Sequence, residues 1–186
     1  ILGDATSEED IKNFISGVKE SGEIHAILHC VGSFAVRPPH AMNKEAFEAV
    51  ISTNLTSAFL TLSIAGKAML SQGHGRMVFM SSVAGSLGLV NHEAISAAKG
   101  GIESMVRSAA ATYANRGLRI NAVAPGLTDT KLASPIMSNE TASQAASQKI
   151  PIKRVGSKEE VANVIKWLLT EAPENFTGQI LHTDGG

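Results

Sequence analysis

With 186 residues, 44% of them hydrophobic, the chain is long enough for one domain with a real core and gives no sign of a second. Its 16 basic and 17 acidic residues are spread along the sequence for a formal net charge of -1, which removes any electrostatic reason to expect nucleic acid or an anionic membrane as partner. One cysteine, Cys30, excludes an internal disulfide, and no apolar run is read as reaching the ~18 residues of a membrane span.

Ile1 opens no basic-then-apolar leader and is not a start methionine, so the amino end is expected to be a processing or cloning boundary. Asp4 follows in Leu2-Gly3-Asp4-Ala5-Thr6. Ser7 can cap a helix whose first turn, Glu8-Glu9-Asp10, suits the positive end of the helix dipole. Ile11, Phe14, Ile15 and Val18 recur at helical spacing and should face inward, and Gly22 ends the helix. The run from Ile24 to Val31 is too apolar for a half-wet strand, so it reads as a strand covered by helices on both faces, with Cys30 as a buried, reduced thiol of a cytoplasmic protein. After Arg37-Pro38-Pro39 a helix is expected from about Lys44 to Leu70, then a strand over Met77 to Met80. Glu93 to Asn115 reads as an alanine-rich helix closed by Gly117, and Leu118 to Ala124 as the next strand. Leu127 to Ile150 is polar, serine-rich and aperiodic, which suggests a mobile lid. Ser157 and Glu160 form a capping box for a helix that turns Val161, Val164, Ile165 and Leu168 inward, and Phe176 to Thr183 supplies the last strand. This alternation predicts a single α/β domain over residues 1–186, a doubly wound parallel sheet with ligands beyond the carboxyl ends of its strands.

The strand ending in Ser81-Ser82 is followed, seventeen positions after Ser82, by Lys99, and this spacing resembles the short-chain dehydrogenase/reductase family. In that family a strand-end serine precedes a tyrosine, the proton donor, and a lysine one helical turn beyond it. Here the tyrosine position is Ile95, four residues before Lys99. The resemblance extends along the chain. Asp4 is similar to the family's aspartate near the adenine; His29-Cys30-Val31-Gly32 stands where the family writes Asn-Asn-Ala-Gly; Asn54 matches the asparagine of its catalytic tetrad; Pro125-Gly126 and Thr130 match its nicotinamide-side loop.

The resemblance implies a three-layer, Rossmann-like fold and NAD or NADP as cofactor, with Asp4, Cys30, Val31, Gly32, Lys99, Pro125, Gly126 and Thr130 as cofactor-side residues and no metal. It further implies hydride transfer to a small carbonyl or alcohol compound, with the Ser82 hydroxyl on the developing oxyanion, Lys99 on the nicotinamide ribose and Asn54 holding a water. Ile95 donates no proton, and losing a well-placed acid typically costs ~10²–10⁴-fold. Tyr113, fourteen residues past Lys99, is too far along its helix to replace the phenol. His92, three residues before Ile95, is either a replacement acid or a surface and capping residue. Glu93 reads as a first-turn helix residue.

The family's leading strand, glycine-rich phosphate turn and next strand have no counterpart in these residues; Gly73-His74-Gly75 is a loop and Gly100-Gly101 lies within a helix. The fold is therefore expected to be N-terminally truncated, its cofactor binding weak and the strand ending at Gly32 bare along one edge, to be covered by residues of a longer gene product or by a partner copy. A homodimer or homotetramer is expected, built on the helices around Asn54 and Ile95, where Ala94, Ala97, Ala98, Gly100, Gly101 and Ala109 to Ala111 allow close approach. The alternative to an oxidoreductase is a non-catalytic relative that keeps the fold for binding or assembly.

Overall fold

The computed structural model describes residues 2–186 apart from the Ile136 side chain, so the reading of Ile1 lies outside it. Four strands, β1 (Ala26–His29), β2 (Gly75–Met80), β3 (Leu118–Pro125) and β4 (Ile180–Thr183), pair in that order, every pair parallel. Their side chains alternate between two cores. Met77, Phe79, Ile120 and Ala122 meet helices α1 (Glu8–Glu20), α3 (Ser57–Gln72) and α4 (Glu93–Tyr113) on one face, while Val78 and Val123 meet α7 (Lys158–Thr170) on the other. Fully buried members such as Phe79, Ile102 and Ile120 each contribute on the order of 1.5–3 kcal/mol of hydrophobic stabilisation.

The helix ends follow their local chemistry. The Ser7 hydroxyl accepts from the Asp10 amide at 3.2 Å, and the Ser157 and Glu160 side chains each accept from the other's backbone N–H. Gly117, at φ 87, follows the short turn that closes α4. Gly178, at φ 72, delays the last strand to Ile180, and Phe176 packs edge-on to Trp167 instead.

Four expectations are corrected. First, β1 is short and one-sided: the core under α7 takes in β2, β3 and Leu181 of β4 but no residue of β1, so Leu28 stays exposed and Cys30, just past the strand, is exposed rather than buried. Second, Phe14 is exposed, because α1 leans on the α3 side with Ile11 and Ile15 alone fully buried. Third, the segment read as an aperiodic lid contains α5 (Ser134–Met137) and α6 (Glu140–Lys149); α6 is capped by Asn139, whose side chain accepts from Ala142 N–H at 2.9 Å, yet it buries no residue, which is why no apolar stripe announced it.

Fourth, α2 (Lys44–Ile51) runs through a π-helical turn, Ser52–Thr56, into α3, making one 29-residue helix with an 18-residue window of mean hydropathy 1.4. By length and composition this reaches the range of a membrane span, against the sequence reading. Its apolar residues are used here in the core: Ala58, Ala65 and Met69 are fully buried against the sheet and its neighbours.

Candidate active site

An open cavity of about 550 Å³ lies beyond the carboxyl ends of β1, β2 and β3, where a parallel sheet places ligands. Its wall takes Cys30, Val31 and Gly32 from the end of β1, Ser82 from β2, Pro125, Gly126 and Thr130 from β3, and Ile95 and Lys99 from α4. Asn54 and His92 reach it as well. Of the residues expected to hold cofactor or substrate, Asp4 alone lies elsewhere. It is in an exposed turn before α1, where its carboxylate accepts from the Thr6 amide and hydroxyl, both at 2.8 Å.

Each polar group is fixed by its element. Ser82 leaves β2 in extended conformation, and its oxygen accepts from Ala84 N–H at 3.2 Å. That contact leaves the hydroxyl proton uncommitted among the described residues, so it can be donated into the cavity. Neighbouring Ser81 is instead tied to buried Glu103, donating to its carboxylate at 2.9 Å. Asn54 sits in the π-turn, fully buried. Its amide nitrogen donates to Ser33 Oγ at 2.9 Å and Val50 O at 3.0 Å, while its oxygen accepts from Ser33 N–H at 3.1 Å. The wider turn leaves an extra residue's worth of backbone, and such turns recur at functional sites.

Lys99 is 7% exposed, and its ammonium donates to the Met80 carbonyl at 2.8 Å. Two of its three N–H bonds remain for a ligand. Burial pulls its pKa down from 10.5 to about 8, so at neutral pH it is still a cation. Gly32 is packed between these groups: a Cβ there would stand 3.0 Å from Asn54 Oδ1 and 3.5 Å from Lys99 Nζ. Cys30 keeps a raised thiol pKa despite its exposure, because the cavity wall desolvates the sulfur and outweighs the pull of Lys99.

Ile95 is 5% exposed, part of the cavity's apolar wall on the same helix as Lys99, one turn before it. His92 caps the start of α4, and its Nδ1 donates to the Val90 carbonyl at 2.7 Å. A carbonyl can only accept, so the neutral ring carries its proton on Nδ1 and presents Nε2 as a bare acceptor. It donates from Nε2 only as the imidazolium.

Three contributors were not read from sequence. The Met80 carbonyl carries no side-chain signature, Ser33 follows Gly32 in an irregular loop, and His29 was noticed only as a departure from the family's pattern. His29 is buried, donates through Nε2 to Ser57 Oγ at 3.0 Å, and leaves Nδ1 without a partner among the described residues. Its pKa is lowered from 6.5 to about 4, by burial first and by the Lys99 charge second.

Known proteins share this fold and sequence pattern. A family model described as enoyl-(acyl carrier protein) reductase matches residues 1–186. The cis-4-hydroxycyclohexanecarboxylate dehydrogenase of Sinomonas cyclohexanicum is 36% identical over 185 residues, covering 98% of this chain and 74% of that protein. The 3-oxoacyl-[acyl-carrier-protein] reductase MabA of Mycobacterium tuberculosis (strain ATCC 25618 / H37Rv) is 35% identical over 184 residues, with the same two coverages of 98% and 74%. Among solved structures, ElxO with NADP bound superposes with a TM-score of 0.94 at 28% identity, covering 100% of this chain and 76% of its own. A short-chain type dehydrogenase/reductase from Mycobacterium ulcerans gives 0.93 at 29% identity, covering 98% of this chain and 67% of its own.

Proposed function

We propose that this chain, which belongs to the short-chain dehydrogenase/reductase family, holds the nicotinamide end of NAD or NADP in the cavity and reduces or oxidises a small carbonyl or alcohol compound there without a resident tyrosine. The observation that carries the reading is the convergence of Ser82, Lys99 and Asn54 on one cavity bounded by Gly32 and Pro125-Gly126.

The residues present suit a nicotinamide riboside. Gly32 lets its backbone pass close to Asn54 and Lys99, where a Cβ would press on Asn54 Oδ1 at 3.0 Å, and the two free N–H bonds of the buried Lys99 ammonium match ribose hydroxyls. When bound, such a cofactor supplies or accepts the hydride. Everything else falls to the chain. The uncommitted Ser82 proton hydrogen-bonds the substrate oxygen as charge grows on it, in a half-desolvated setting where that contact is strengthened. Asn54 and Ser33 hold each other and so fix the loop carrying Gly32. Ile95 offers packing and excludes water, and the proton for the substrate oxygen comes from solvent or from the His92 imidazolium.

The test is titration of the full chain with NADPH and NADH, followed by fluorescence. Lys99→Ala should weaken binding at least about tenfold, as loss of charge-assisted hydrogen bonds does. Equal affinity in parent and Lys99→Ala would contradict the reading. Residues 1–186 by themselves should bind more weakly than a chain that also carries a phosphate-binding turn; low-micromolar affinity measured calorimetrically for that stretch would contradict this.

A second copy is the proposed partner of α3 and α4. Phe59 is 55% exposed beside a surface hollow that includes Leu70 and Tyr113; on α4, against the sequence expectation, Ala94, Ala98, Ala109 and Ala110 are buried and Gly100 and Gly101 pack on Gly85 and Leu55, which leaves Ala97, Ser104 and Ser108 on its exposed face. Sedimentation should show at least a dimer at micromolar concentration, and Phe59→Asp should shift it toward monomer; a monomeric parent overturns this assembly.

A further inference from the structure

We propose that Glu23, His25 and His74 form a zinc site at the end of the sheet opposite the cavity. Glu23 and His25 lie just before β1, and His74 lies in the loop just before β2. A carboxylate oxygen of Glu23 and one ring nitrogen from each histidine lie within 4.8 Å of one another. Donors around a tetrahedral zinc stand about 3.4 Å apart, given Zn–N and Zn–O bonds near 2 Å. The three side chains are accessible or half-buried, and turning one imidazole about its side-chain torsions closes that difference.

The two segments are already clamped together. Gln72 reads both polar groups of Ile24: its Oε1 accepts from the Ile24 amide at 3.0 Å and its Nε2 donates to the Ile24 carbonyl at 3.1 Å. Arg76 N–H donates to the His25 carbonyl at 3.0 Å, which fixes the other side of His25. Gly73, in the left-handed region at φ 82, sets the turn that brings His74 across. The backbone holding all three donors is thus organised before any ion arrives, and preorganisation of this kind lowers the cost of binding.

A simple ion pair explains only part of the arrangement. Glu23 and His74 are in contact at 3.2 Å, but His25 is stacked on His74, with ring centroids 5.2 Å apart and planes within 17°. Neither nitrogen of His25 has a hydrogen-bond partner among the described residues. One ring nitrogen from each histidine and the Glu23 carboxylate, once one imidazole turns out of the stack so that both in-plane lone pairs meet one ion, give a two-nitrogen, one-oxygen donor set, which suits zinc and not the oxygen-seeking magnesium or calcium. Because the site joins the start of an edge strand to the start of its neighbour, its effect is to clasp β1 to β2 and not to take part in hydride chemistry.

The experiment is calorimetric titration of Zn²⁺, with Mg²⁺ as the control, into the full chain carrying Cys30→Ser so that the thiol cannot compete. One zinc per chain is expected, with His25→Ala, His74→Ala and Glu23→Gln each weakening uptake at least about tenfold. Zinc should raise the Tm of the parent and leave that of the His25→Ala/His74→Ala double variant unchanged, while far-UV circular dichroism shows both folded. No saturable uptake, uptake unaltered in the double variant, or an equal response to Mg²⁺ overturns the site.

Discussion

At Lys99 a buried ammonium faces an isoleucine side chain on the preceding turn, where the family's chemistry would place a phenol for it to polarise. The cost of that burial is readable in pH. The folded pKa is about 8 and the unfolded value 10.5, so between them the unfolded chain binds the proton and the folded chain does not. Stability from this group therefore rises as pH climbs from about 8 to about 10.5, and its penalty of about 3 kcal/mol is fully present at neutral pH. Lys99→Met should remove the penalty but also the charge-assisted Met80 hydrogen bond, worth about 1.5–3 kcal/mol, for a net gain of at most about 1.5 kcal/mol at neutral pH. Urea denaturation of the two proteins checks it; a destabilised Lys99→Met would mean that the ammonium is better solvated than its burial implies. His29 works on the acid side. Its folded pKa of about 4 lies below the unfolded 6.5, so its contribution is lost as pH falls from about 6.5 through about 4. His29→Asn should make the stability drop between about pH 7 and about pH 4.5 shallower by about 2 kcal/mol. Identical drops in parent and variant would assign acid lability to other groups.

Among the elements, the π-turn is where sequence reading and structure differ most usefully. Asn54 in a helix interior signals a specific hydrogen bond, because its side chain competes with the backbone. Nothing in Ser52-Thr53-Asn54-Leu55 says that the helix widens there or that Ser33, across a loop, is the partner. Asn54→Ala should cost about 2–3 kcal/mol by stranding Ser33 N–H, and should lower activity further by freeing the loop that carries Gly32. Thermal unfolding and cofactor titration read the two effects separately; an unchanged Tm would show the hydrogen bonds to be replaceable by water. The capping box of α7 was legible because Ser157 and Glu160 carry their pairing in residue type and spacing. Helix α6 was not, since Glu140–Lys149 is held by a cap and by alanine propensity without an apolar face.

Across the molecule, strand order and the side of the sheet on which ligands gather follow from alternating strands and helices, and these were legible. What composition could not give is coverage. The run ending at Cys30 is apolar enough for two buried faces, yet only one is covered, and the tertiary placement of α7 decides this. Likewise, the cavity residues are scattered from Cys30 to Ile165 in sequence and become a site only through the parallel register that aligns the strand ends. Asp4, matched by motif to the family's aspartate near the adenine, stands in an exposed turn outside this cavity.

The central claim is that this cavity is a nicotinamide site complete but for its acid, and the most direct measurement is NAD(P)H oxidation by the full chain with a panel of small carbonyl compounds, comparing parent, Ile95→Tyr, His92→Ala and Lys99→Ala. Ile95→Tyr should raise the rate at least about tenfold, within the ~10²–10⁴-fold that a placed acid contributes. Lys99→Ala should abolish turnover, and His92→Ala should change little if solvent supplies the proton. Equal rates in parent and Ile95→Tyr, with cofactor bound by both, would contradict the account, and a large loss in His92→Ala would then assign the proton to the imidazolium.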